Sequence, residues 1–290
     1  MGGAVRYETV DLGSIQMFYR EAGEQFAPTV LLLHGFPTSS HMYRDLIPQL
    51  ASDYRVLAPD LPGFGSTKAP ARGVYAYTFD NLYTSVQAFV DVLQLERFAL
   101  MVFDYGAPVG FRLATANPNR IAAIITQNGN AYEEGLEQET WTPMRSYWEK
   151  PTAANRDALR PFLTSEITHF QYTHGVPEGK LNLVSPDAIA HDQDILDRDP
   201  ELQLDLFGDY DSNLSLYPKW QEYLRTKRPP VLAVWGNGDP FFCPAGAHAF
   251  RKDVPDAEVH LFDTGHFALE TDGEAIAKLI LDFLTRKLVR

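Results

Sequence analysis

The sequence predicts an α/β fold: a mostly parallel, eight-stranded sheet with helices on both faces and a helical segment inserted into it. Three observations carry this. Residues 29–33, 98–103 and 230–235 are continuous apolar runs of strand length, the pattern of strands buried on both faces. Strand and helix patterns alternate through the first 130 residues and resume after 228. Between them, residues 131–228 show no clear strand, and their aromatic, helix-compatible sequence is broken by prolines at 143, 151, 161, 177, 186, 200 and 218. The expected organisation is a discontinuous core domain, residues 1–130 and 229–290, with a helical cap domain at 131–228.

Taken in order, residues 5–12 and 14–20 alternate in polarity around Gly13 and predict an opening antiparallel pair. The strand at 29–33 ends in His34-Gly-Phe-Pro37. A helix is expected from about 40 to 51, a strand at 55–58, and a loop at Asp60-Leu-Pro-Gly-Phe-Gly-Ser66. In the next helix, 79–94, apolar residues 82, 86, 89, 90 and 93 share one face. The run 98–103 stops at Asp104, and after Tyr105 and two small residues a helical pattern follows. Further strands are expected at 121–126, 230–235 and 257–262. The last helix carries Ile276, Leu279, Ile280, Phe283 and Leu284 on one stripe.

Composition narrows the function. With 38 acidic and 25 basic side chains the net charge is −13, which repels phosphate backbones and argues against nucleic-acid binding. A 45% apolar content can form a core without disulfides, and the single cysteine, Cys243, favours a reducing compartment, so a cytoplasmic location is expected. Met1-Gly-Gly-Ala-Val-Arg6 lacks the apolar run of a secretory signal, and no stretch reaches the roughly 18 apolar residues of a membrane span. The seven histidines other than His266 show no metal-ligand spacing, and Gly63-Phe-Gly-Ser-Thr-Lys68 lacks the context of a phosphate loop. No metal and no cofactor are expected, and monomer and homodimer are both compatible with the sequence.

Three residues stand out because each directly follows a strand. Asp104 ends the 98–103 run, Asp239 closes Trp235-Gly-Asn-Gly-Asp239, and His266 sits in Asp263-Thr-Gly-His266-Phe. Singly, Asp104 could cap its helix, Asp239 could serve a turn, and Asp263 could rival it as the acid. In this order they match nucleophile, acid and histidine. The residue type then selects the chemistry. A carboxylate that attacks saturated carbon leaves an ester, which activated water can cleave, whereas a hydroxyl would leave an ether. Small apolar epoxides or alkyl halides, with water, are therefore the expected reactants. The backbone N–H groups of Phe36 and Tyr105 are the expected oxyanion donors, with His266 as general base oriented by Asp239.

These segments, His34-Gly-Phe-Pro37, Asp104-Tyr-Gly-Ala-Pro108, Trp235-Gly-Asn-Gly-Asp239 and Gly265-His266-Phe267, resemble the epoxide hydrolase and haloalkane dehalogenase branch of the α/β-hydrolase superfamily. The resemblance covers nearly the whole core. It implies a cis Phe36–Pro37 bond, pocket support from His34, Pro37 and Trp148, and cap tyrosines that protonate an epoxide oxygen. Tyr210, 29 residues before Asp239, fits the second such tyrosine. Tyr147 and Tyr172 are candidates for the first, although the family's position also falls near Met144. Halide binding would need two N–H donors. The two core positions that supply them hold Phe36 and Tyr105, which leaves Trp141 and Trp148. Val102 departs from the glycine that serine hydrolases place two residues before the nucleophile. The resemblance thus favours an epoxide hydrolase forming a vicinal diol. A haloalkane or haloacid dehalogenase is the alternative, a non-catalytic ligand-binding member the third reading. The absence of Gly-x-Ser-x-Gly makes a serine esterase the least favoured.

Overall fold

The computed structural model describes residues 4–288; Met1–Gly3, on which the expectation about a leader partly rests, and the last two residues lie outside it. Eight strands, β1 (Arg6–Asp11), β2 (Gln16–Ala22), β3 (Thr29–Leu33), β4 (Arg55–Pro59), β5 (Phe98–Phe103), β6 (Ile121–Gln127), β7 (Val231–Gly236) and β8 (Glu258–Phe262), form one sheet. Its order is β1-β2-β4-β3-β5-β6-β7-β8. Strand β2 runs antiparallel to β1 and β4, and the other five pairings are parallel.

Every residue of β5, β6 and β7 is buried, which is why these strands read as unbroken apolar runs rather than alternating ones. The register places Leu33 opposite Val102, Phe103 opposite Gln127, and Gln127 opposite Val234. The carboxyl ends of β3, β5, β6 and β7 therefore meet along one edge, and whatever follows them emerges together.

Helices cover both faces. Short α1 (Leu46–Leu50) and α12 (Ala268–Leu288) pack on one side through Ile47, Leu50, Ile276 and Ile280. Helices α2 (Phe79–Val92) and α3 (Gly106–Ala116) lie on the other through Val86, Phe89, Val109 and Phe111. The helix expected at 40–51 is instead a 3₁₀ turn, Ser40–Tyr43, followed by α1. Pro48 explains the break, because it has no N–H for the Arg44 carbonyl and is tolerated only in a first turn.

After β6 the chain is helical until β7: α4 (Gln138–Glu149), α5 (Ala153–Asp157), α6 (Ser165–Thr173), α7 (Pro186–Arg198), α8 (Pro200–Asp209), α9 (Asp211–Leu214) and α10 (Tyr217–Lys227). Pro186, Pro200 and Pro218 begin helices in place of ending them. The entry to this excursion is tied to the loop that follows β7. Leu136 bridges antiparallel to Phe242, Glu137 N–H donates to the Phe241 carbonyl (3.2 Å), and Cys243 N–H to that of Gly135 (2.9 Å). Helix α11 (Pro244–Asp253) then leads to β8. Among the described residues no helix is long and apolar enough to cross a membrane.

Candidate active site

At the end of β5 the chain turns sharply: Asp104 has φ 45° and α3 starts two residues later. A left-handed residue other than glycine costs about 1–2 kcal/mol, least for Asp and Asn. The turn is crowded, so its neighbours are small. A Cβ on Gly106 would strike the Leu33 carbonyl, and one on Gly35 would strike Asp104 Oδ1 and the Tyr105 nitrogen. Val102 fits because the relief lies elsewhere. Gly110 faces it across α3, where a Cβ would come within 2.5 Å of Val102 Cγ1.

The Asp104 carboxylate is buried, with 6% of the residue exposed. Its Oδ1 accepts the N–H groups of Phe36 and Tyr105, both at 2.5 Å, while Oδ2 has no hydrogen-bond partner among the described residues. Burial drives its pKa up to about 6, against the opposing pull of His266 and the two N–H groups. The loop bearing Phe36 is anchored by buried His34. Its Nδ1 pairs with the Gly35 carbonyl (3.1 Å), so Nε2 accepts the Leu61 N–H (2.9 Å), and the Phe36–Pro37 bond is cis.

His266 is likewise buried, and its Nδ1–H donates to Asp239 Oδ2 at 2.7 Å, leaving Nε2 as the acceptor of a neutral ring. Burial alone would lower its pKa, but the charge and hydrogen bond of Asp239, with Asp104 beyond, raise it. Asp239 is fully engaged. Oδ1 accepts the N–H groups of Phe241 (2.7 Å) and Phe242 (3.1 Å), and Oδ2 also accepts the Asn128 amide (2.6 Å). Asn128, at φ 48° just after β6, holds its own Oδ1 against Gly236 N–H (3.0 Å) and the Gln127 amide (2.9 Å). Gln127 in turn donates to the His266 carbonyl (2.9 Å).

Asp104 and His266 line one cavity of about 30 Å³, room for roughly two waters. Its walls are Phe36, Trp141, Met144, Phe207 and Phe242, with polar contributions from Tyr210 and Gln171. Among the described residues no Lys or Arg lines it.

The sequence model of the alpha/beta hydrolase fold matches residues 28–273. The chain belongs to this family. An uncharacterized hydrolase of Saccharomyces cerevisiae is 47% identical over 272 residues, spanning 92% of each chain. A haloalkane dehalogenase of Psychrobacter cryohalolentis is 28% identical over 93% of this chain and 88% of its own. Among solved structures, an epoxide hydrolase of Vigna radiata superposes with TM-score 0.74 at 23% identity, covering 97% of this chain and 98% of the other. A laboratory-evolved variant of potato epoxide hydrolase reaches 0.77 at 20% identity over 98% and 100%. The last three carry the names of the branch that the sequence motifs resemble.

In this α/β hydrolase, Asp104, His266, Phe36, Tyr105 and Tyr210 gather at the cavity, while Asp239 stands behind His266. His34 and Pro37 shape the loop without reaching the cavity. Two tyrosine assignments need correction. Tyr147 lies outside, packed on Gly208 and lining a separate groove with Arg156 and Asp205. The Tyr172 hydroxyl is committed to Asp192 Oδ2 (2.5 Å) and its ring stacks on Phe267. Met144 takes the inward position instead. Trp148 supports from behind, stacked on Tyr210 with its Nε1–H on the Phe207 carbonyl (2.8 Å), and Trp141 Nε1–H is bound to the Phe241 carbonyl (2.9 Å). Asn128, Gln127 and Gln171 were not singled out by sequence. The signal for Asn128 was its place directly after a buried strand.

Proposed function

We propose that this hydrolase opens small, uncharged epoxides to vicinal diols through an ester on Asp104. The observation that carries the reading is the division of labour within the carboxylate. Oδ1 is already held by two N–H donors, and Oδ2 is free to attack. Attack on the epoxide carbon breaks the C–O bond and makes Oδ1 the ester carbonyl, already seated where negative charge will develop. His266 Nε2 then removes a proton from water, whose oxygen adds to the Asp104 carboxyl carbon while Asp239 stabilises the imidazolium; the ester C–O bond breaks, and the departing diol oxygen takes the imidazolium proton. Tyr210 supplies the proton for the ring oxygen; burial, then Tyr217 and Asp104, hold its pKa well above the ordinary value, so it is a full-time donor. Residues 131–228 act as the cap that excludes bulk water.

Haloalkane dehalogenation by the same groups is the second reading, supported by the names of curated relatives. It is disfavoured because the Trp141 and Trp148 N–H groups are both engaged by backbone carbonyls. A haloacid fits less well, since its carboxylate would meet no cation in the cavity. Incubation with styrene oxide and with 1-bromobutane, assaying diol and bromide, separates the two. A single turnover in heavy-oxygen water should place label in the Asp104 side chain and none in the first diol. Label appearing first in the diol would eliminate the ester.

A further inference from the structure

We infer that the Gln171 side-chain amide donates a hydrogen bond to the substrate's leaving oxygen, sharing with Tyr210 the place that Met144 cannot fill. The inference rests on the reading of Asp104 as nucleophile.

Gln171 is 3% exposed, lines the cavity with Asp104, and its amide makes no hydrogen bond among the described residues. A buried primary amide left without a partner destabilises a protein, so its position among aromatic walls calls for a ligand that completes it. The other donors nearby are spoken for. Both cap tryptophans bind carbonyls, His266 Nδ1–H binds Asp239, and the Tyr105 hydroxyl is sealed away without a partner or access. Met144 offers no polar hydrogen. Apart from Tyr210, whose hydroxyl also meets Tyr217, Gln171 is, among the described residues, the lining side chain with hydrogens still to give.

The two donors differ in kind. An amide N–H is too weak an acid to release its proton, so Gln171 stabilises charge on the oxygen as the C–O bond breaks, while Tyr210 transfers the proton. The phenolate left behind recovers the proton that ester hydrolysis leaves on the Asp104 carboxyl, and the cycle closes with one water consumed. Gln171 acts in the alkylation half and not in the hydrolysis half.

That split provides the test. In a His266→Gln background, styrene oxide should build up an ester on the Asp104 peptide, timed by mass spectrometry. Adding Gln171→Leu, which keeps the bulk, should slow that build-up roughly 10- to 100-fold. In enzyme with His266 intact, Gln171→Leu should leave decay of preformed ester within about twofold. Gln171→Met and thermal melting serve as checks on folding. Build-up at the parental rate overturns the proposal, as does equal slowing of both halves, which would mean a loosened site. Failure of the His266→Gln parent to form any ester would instead overturn the nucleophile reading.

Discussion

Replacing Asp104 by asparagine should abolish turnover and yet stabilise the fold above pH 6. Burial lifts this carboxyl from 3.8 to about 6, so between those values the folded chain keeps a proton that the unfolded chain has released. The unfolded state then binds fewer protons, and stability falls as pH rises through the window. The difference of about two units is worth about 3 kcal/mol, present in full above pH 6 and lost below 3.8. Asparagine carries no charge, tolerates φ 45° and still offers Oδ1 to the Phe36 and Tyr105 N–H groups. Urea unfolding should therefore show Asp104→Asn more stable than the parent by about 3 kcal/mol at pH 8, shrinking to less than about 1 near pH 4. Asp104→Ala, which strands two buried N–H groups at about 1–3 kcal/mol each, should be less stable than the asparagine variant throughout. An asparagine variant weaker than the parent at pH 8, or a difference that does not move with pH, would refute the argument.

Other outcomes follow from the same geometry. Because water activation needs a neutral imidazole, the acid limb of kcat should lie above the ordinary histidine value of 6.5; in Asp239→Asn burial prevails and the limb should move down as kcat falls. A limb unmoved in the pH–rate profile would remove Asp239 from the electrostatics of His266. Gly35→Ala drives a methyl into Asp104 Oδ1 and the Tyr105 nitrogen, and should cut styrene oxide turnover by roughly 10² or more. Asn128→Ala loses the bonds to Asp239 and Gly236 and leaves alanine at φ 48°. It should cost about 2–4 kcal/mol in urea unfolding, and a loss under 1 would show the amide to be dispensable.

The sheet was legible because burial on both faces writes itself into sequence as uninterrupted apolar runs, and strand ends then locate Asp104, Asp239 and His266. What stayed hidden depended on helix phase or on distant partners. Gln171 and Tyr172 are neighbours on α6, about 100° apart around its axis, so only one of them can face the cavity. Which one is decided by Phe267, nearly a hundred residues later, where the Tyr172 ring stacks at 3.8 Å. Trp141 and Trp148 advertise N–H groups in the sequence, but the carbonyls of Phe241 and Phe207 claim them only in three dimensions. Pro48 marks a break within 40–51, but one proline among helix-compatible neighbours fixes neither where the 3₁₀ turn ends nor where α1 begins.

The paired backbone at Gly135–Glu137 and Phe241–Cys243 bears on how such proteins diversify. The clasp fixes where the excursion starts and β7 fixes where it ends, so the span between can change length or content at little entropic penalty, since closure grows only logarithmically with the span. Roof and floor thus become separable units of inheritance. Exchange of the span between the clasp and β7 exchanges the cavity's roof in one event, with Asp104 beneath it undisturbed.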